Sequence, residues 1–147
     1  MLFEMLATLS SGLFAGAAVY VTLVEHPARM ECGPLLAVTE FAPSYRRGAL
    51  MQGALGAIGF LSAAAAWLLG FSLRWLIGGV LLGAVIPVTL IVIFPTNKRL
   101  LDSSLNKNSE SASKLLIQWG RLHAVRTVLG LVSFLIFIYS LGHSALR

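Results

Sequence analysis

Four apolar runs, each free of Asp, Glu, Lys and Arg, set the pattern of this chain. They are Met5–Val24, Gly48–Leu73, Trp75–Asn97 and Thr127–Leu146, of 20, 26, 23 and 20 residues. Crossing a hydrocarbon core takes about 20 residues. Backbone polar groups in lipid must be satisfied within their own segment, so each run predicts a helix. The expected spans are about 5–26, 48–71, 75–96 and 121–142, in one four-span unit covering 1–147. The fold class is therefore all-α: an antiparallel four-helix transmembrane bundle.

The connections differ in kind. Gly70-Phe71-Ser72-Leu73-Arg74 is a tight turn, making the second and third spans neighbours. Glu25–Arg47 and Lys98–Arg126 are longer and carry almost all the charge. The first of these predicts a short interfacial helix between Pro34 and Arg47. In the second, Ser109 suits the N-cap of a helix starting near Glu110. That helix runs unbroken into the fourth span and projects from the membrane. Gly12 with Gly16, and Gly79 with Gly83, form small-xxx-small pairs that let helices approach. Pro87 predicts a kink, and Pro95 reads most simply as a helix stop. No internal repeat is legible.

Composition sharpens this picture. Only 12% of the 147 residues are charged, against about 25% in a soluble domain, so much of the surface must face lipid. The early apolar run has Glu4 where a leader would be basic, and it reads as a retained helix. Net charge is +5, but the basic residues flank apolar runs and suit lipid headgroups rather than nucleic acid. Nine of the 11 Lys and Arg lie in the two long connections; only Arg74 and Arg147 lie on the other side. The bias places loops one and three in the cytoplasm and both termini outside, as in a bacterial inner-membrane protein. Cys32, the single cysteine, excludes an intrachain disulfide and a Cys-rich metal site. No span carries a charge at its middle, so no ion path is visible.

Candidate chemistry gathers at the charged end. The first span ends in Glu25-His26-Pro27-Ala28-Arg29, and the third in Pro95-Thr96-Asn97. Arg46 and Arg47 precede the second. Trp119, His123, Arg126 and Gly130, spaced 4, 3 and 4, share one face of the fourth helix. Thr22, Glu25 and His26 make a polar edge on the first. Ionisable groups at a membrane edge are costly and read as functional. Lys98 and Arg99 suit snorkelling to phosphates, and His143 stands alone at the opposite end.

Three uses are open. His26 or His123 could act as a general base, with Arg126 and Asn97 stabilising an oxyanion. Glu25, Arg29, Arg47 and Trp119 would then bind the substrate. Glu25, His26 and His123 have the ligand types of a non-haem iron or other metal site, although adjacent residues on a helix diverge by about 100°. No cofactor motif is evident. The third use is binding without chemistry. Pairing of Glu25 with Arg126 is expected, because it would neutralise both charges where water is scarce.

The ordered set Glu25-His26-Pro27-Ala28-Arg29, Pro95-Thr96-Asn97 with Leu100, and Trp119-x3-His123-x2-Arg126-Thr127 resembles the anthrone oxygenase-like family of small membrane proteins. The resemblance spans essentially the whole chain. It marks His26, Arg29, Asn97, Trp119, His123 and Arg126 as motif positions. It implies an oxidoreductase acting on a lipophilic substrate with an acidic carbon, such as an anthrone or another reduced polycyclic phenol. A carrier of a lipophilic ligand and a structural membrane subunit are the alternatives. The expected partners are membrane lipids and a lipophilic small molecule, with no nucleic acid; the chain could also form a homo-oligomer, and a structural subunit would pack against a helical partner.

Overall fold

The computed structural model describes residues 1–144. Four long helices make up most of this stretch: α1 (Leu2–Glu31), α2 (Pro34–Leu68), α3 (Leu73–Leu100) and α4 (Glu110–Ser144). Each is long and apolar enough to cross a membrane. This is a membrane protein. Large apolar side chains such as Leu13, Leu61, Ile91 and Leu135 stay exposed on the outside of the bundle, where acyl chains replace water as solvent.

The helices pack in a ring. α1 and α3 each lie between α2 and α4, and the two diagonals touch little. Close approach is made by glycine. A Cβ on Gly130 would lie 2.7 Å from the Phe14 ring, and one on Gly12 2.8 Å from Phe134. These two aromatic knobs lock α1 against α4. Gly79 and Gly83 both receive α2, and Gly83 seats Phe60. Gly16, expected to pair with Gly12, faces outward with open space around it.

Local chemistry sets the helix ends. Gly70 takes φ 91°, and Phe71 N–H donates to Ala66 O while Gly70 N–H donates to Trp67 O. That is a Schellman end, which a residue with a side chain would strain. Ser109 Oγ accepts from Ala112 N–H at 3.1 Å and caps α4 as expected. Before it, Asp102 Oδ1 accepts from both the Ser104 N–H (2.8 Å) and hydroxyl (2.7 Å). These donors hold the Asp102 carboxyl below its ordinary range.

Two expectations change. The stretch from Pro34 to Arg47 is helical, but it is the opening part of α2 rather than a separate helix. Cys32 and Gly33 alone separate it from α1, and Gly33 at φ 81° ends one helix so that Pro34 can open the next. Pro95 does not stop α3, which continues to Leu100. Two residues before it ends a π-helical turn, Thr89–Ile93. Proline clashes with the carbonyl four residues back, here that of Ile91, and the wider π turn carries that carbonyl away. α1 uses the same device: the π turn Val21–Glu25, one residue, then Pro27. The second half thus repeats the first in helix order and in this break, a repeat the side chains conceal.

Candidate functional site

At the charged end, α1, α2 and α4 part around a cavity of about 520 Å³. Its walls are mostly apolar, and its polar groups come from all three helices. α1 supplies Glu25 and Arg29, α2 supplies Arg47 and Gln52, and α4 supplies Trp119, His123 and Arg126. Of the eight residues predicted for the site, six line this cavity. His26 stands behind Trp119, with ring centroids 5.2 Å apart. Its Nδ1 is buried without a hydrogen-bond partner. Asn97 is fully buried on α3, and both its amide atoms lack partners. It does not line the cavity, because α3 contributes nothing to that wall.

The two buried arginines differ in the company they keep. Arg29 Nη2 donates to Glu25 Oε1 at 2.5 Å and to Ser44 Oγ at 3.2 Å, and Nε pairs with Glu40. Ser44 donates to the same Glu25 oxygen at 2.6 Å. The Arg29 guanidinium lies over both Phe41 and Trp119, 5.7 Å from each ring centroid. Its charge is answered twice. Arg126, only 6% exposed, donates from Nη2 to Gln52 Oε1 at 2.7 Å, and its Nε has no acceptor. Among the described residues no carboxylate pairs with it. The expected Glu25–Arg126 pair is therefore not formed. Arg29, one turn along the same helix, takes Glu25 first, and a neutral amide faces Arg126.

His123 is oriented by a hydroxyl relay. Thr22 Oγ1 lies 3.1 Å from His123 Nδ1 and 2.8 Å from Thr127 Oγ1, and Thr127 Oγ1 donates to Ala18 O at 3.2 Å. A carbonyl only accepts. All three contacts are hydrogen bonds only if Nδ1–H donates to Thr22, Thr22 to Thr127, and Thr127 to Ala18. The relay thus places the imidazole proton on Nδ1 and leaves Nε2 with a free lone pair. Trp119 stacks on the same ring, centroids 4.8 Å apart at 28°. The stripe 119-123-126 accordingly faces inward.

Glu25, His26 and His123 do not come together as a three-ligand group. Glu25 is held by Arg29 and Ser44, and His123 Nδ1 by Thr22. Among the described residues no three His, Cys, Asp or Glu side chains form a metal-binding group.

Gln52, Glu40, Ser44 and Tyr45 also line the cavity without having been singled out. Gln52 left a signal: it is the only amide in the run Gly48–Leu73. The others sit in a stretch whose helical phase relative to the second span depended on its being one continuous helix.

A four-helix membrane bundle with a mostly apolar cavity, a buried guanidinium without a carboxylate partner and an oriented imidazole defines a class of small membrane-embedded binding or catalytic proteins. The chain belongs to the anthrone oxygenase family: the family model described as Anthrone oxygenase matches residues 41–136. The matched stretch carries α2 from Phe41, all of α3, and the His123 and Arg126 face of α4. No curated protein and no solved structure gives a significant match.

Proposed function

We propose that this protein is a membrane oxygenase whose 520 Å³ cavity takes a lipophilic anion, an anthrone or a similar reduced polycyclic phenol. Drug-sized ligands occupy pockets of roughly 300–1,000 Å³, and a planar three-ring molecule falls within that range. The observation that carries the reading is Arg126: a buried cation that meets the Gln52 amide and the Phe14 ring (5.8 Å to its centroid) but, among the described residues, no carboxylate. A buried charge without a counter-ion is strongly unfavourable; Glu25 and Glu40 are taken by Arg29, and a phenolate or enolate oxygen is the counter-charge for Arg126.

The chemistry follows from the two α4 residues. His123 Nε2 removes a proton from the acidic ring carbon. The electron pair delocalises onto the ring oxygen, where Arg126 stabilises it. The carbanion reacts with dioxygen to give a hydroperoxide, which loses water. The net change is CH₂ plus O₂ to C=O plus H₂O. Glu25, Arg29, Arg47 and Trp119 close the cavity around the rings. His26 and Asn97 support from behind, His26 by packing Trp119. The site opens on the cytoplasmic side in this reading, following the Lys and Arg bias.

Oxygen uptake and quinone absorbance on adding anthrone to protein in lipid nanodiscs test this, with elemental analysis of the same preparation. Turnover that His123→Gln and Arg126→Met each abolish is the expected result. Saturable binding of the anthrone without oxygen uptake would replace the oxygenase with a carrier. Equal turnover in wild type and both variants would overturn the site.

A further inference from the structure

The hydrogen bond between Arg126 and Gln52 is a partition with space on both sides. Behind it lies a second cavity of about 140 Å³, between α2, α3 and α4. Arg126 and Gln52 line both cavities. The rest of the small one is Ala49, Gly53, Val85, Ile86, Thr89 and Leu90.

Its position follows from the repeat. Exchanging α1 with α3 and α2 with α4 turns the helices of the large cavity into those of the small one. Ala17 and Val21 of α1 line the first; Val85 and Thr89, each 68 positions later, line the second. Gln52 and Arg126 exchange roles across the axis, 74 positions apart, and Ala49 and His123 follow at the same spacing. The content differs. Where α1 has Glu25, His26 and Arg29, α3 has Ile93, Phe94 and Asn97. The small cavity has lost the ion-pair cluster and kept the shared guanidinium.

We propose that this small cavity is a holding site for dioxygen, fed from the lipid side; the inference rests on the oxygenase reading. Its size excludes the polycyclic substrate, being well under the roughly 300 Å³ at which ligand pockets begin. Apart from Arg126, Gln52 and Thr89 its wall is apolar, and apolar cavities of about this volume take up small apolar molecules such as xenon. Dioxygen is of that class. Arg126 gives the location its chemistry. As the substrate carbanion's electron pair forms the C–O bond, the O–O π bond gives its pair to the far oxygen. The substrate carbon is oxidised and dioxygen is reduced to a peroxide anion. The proton held by His123 then neutralises it. The guanidinium lies between the two cavities, so the charge it stabilises on the substrate oxygen moves to the peroxide within reach of the same group.

Two glycines separate the cavities experimentally. Gly53 lines the small cavity and Gly48 the large one, and a Cβ at either meets nothing within 4 Å. Gly53→Leu and Gly48→Leu therefore fill one cavity each without a backbone clash. The first measurement is xenon occupancy under pressure, by anomalous diffraction. Xenon beside Arg126 in wild type and Gly48→Leu, and its absence in Gly53→Leu, is the expected pattern; an empty small cavity in wild type overturns the proposal. The second is steady-state turnover against dissolved oxygen. Gly53→Leu should raise KM for dioxygen about tenfold with KM for the anthrone unchanged, and Gly48→Leu should do the reverse. Unchanged KM for dioxygen in Gly53→Leu overturns the proposal. Absence of turnover in wild type removes the oxygenase reading itself, and with it the assignment of dioxygen, even where xenon binds.

Discussion

Arg126 on α4 reaches 2.7 Å across the bundle axis to Gln52 on α2, joining two helices that otherwise hardly touch. The pair is cation to amide rather than cation to carboxylate. It satisfies one donor and, with the Phe14 ring 5.8 Å away, leaves the guanidinium without a counter-ion, which suits a ligand site better than a structural tie.

Arg126→Met should therefore separate stability from binding. Alone it strands the Gln52 amide, at a cost of about 1–3 kcal/mol. Combined with Gln52→Leu it should restore thermal stability in detergent, since apolar replacement of a buried charge is often neutral or better. Neither variant should bind the phenolic anion well: affinity falls about 10- to 100-fold, the worth of a charge-assisted hydrogen bond of roughly 1.5–3 kcal/mol. Retained affinity in the double variant, measured by fluorescence titration, would refute the anion role.

Arg29 should behave oppositely. It is buried and held by Glu25 and Glu40, so Arg29→Met leaves two carboxylates facing each other. A loss of about 3–5 kcal/mol is expected. Glu40 is about half exposed, and Glu40→Gln should cost under about 1 kcal/mol. Denaturation midpoints check the order; equal costs would show that the pair is not organised around Arg29.

Thr22→Val keeps the shape of the side chain and breaks the relay. The proton on His123 Nδ1 loses its acceptor, and the other tautomer gains population. ¹⁵N chemical shifts of the His123 ring should report the change. Turnover should fall about 10- to 100-fold, as for other groups that orient a functional histidine. An unchanged ¹⁵N spectrum would mean that the hydroxyls do not set the tautomer.

Gly120→Ala tests the packing behind the cavity. The added Cβ would lie 2.5 Å from His26 Nε2 and 2.7 Å from Cδ2, and the ring is backed by Trp119. Overpacking of this kind costs about 1–3 kcal/mol. In a His26→Ala background the same change should be close to neutral, a coupling that a thermal-melt double-mutant cycle measures. Additive costs would place His26 elsewhere.

Cys32 reports the orientation. It is exposed at the charged end of the bundle and is the single cysteine. With loops one and three in the cytoplasm, a membrane-impermeant maleimide should label it in inverted vesicles and not in intact cells. Labelling of intact cells would reverse the topology and move the site to the other face of the membrane.

The four helices were legible in the sequence because the bilayer imposes a length and a charge exclusion that no packing detail can override. The convergence of Glu25, Arg29, Trp119, His123 and Arg126 was legible for a related reason: antiparallel spans bring alternate termini to one end. Side-chain partnership was not. Glu25 had two arginines within reach, and whether it takes Arg29 or Arg126 depends on the π turn at Val21–Glu25 and on the approach of Ser44 from α2. Asn97 carried the same motif character as Arg29, yet α3 stands outside the cavity wall, a fact of ring order and not of spacing. The repeat stayed hidden because it lies in two π turns and in cavity positions, while the residues that fill them differ. Composition and periodicity fixed which segments cross the membrane; helix phase, ring order and competition between neighbours for one carboxylate decided what the site contains.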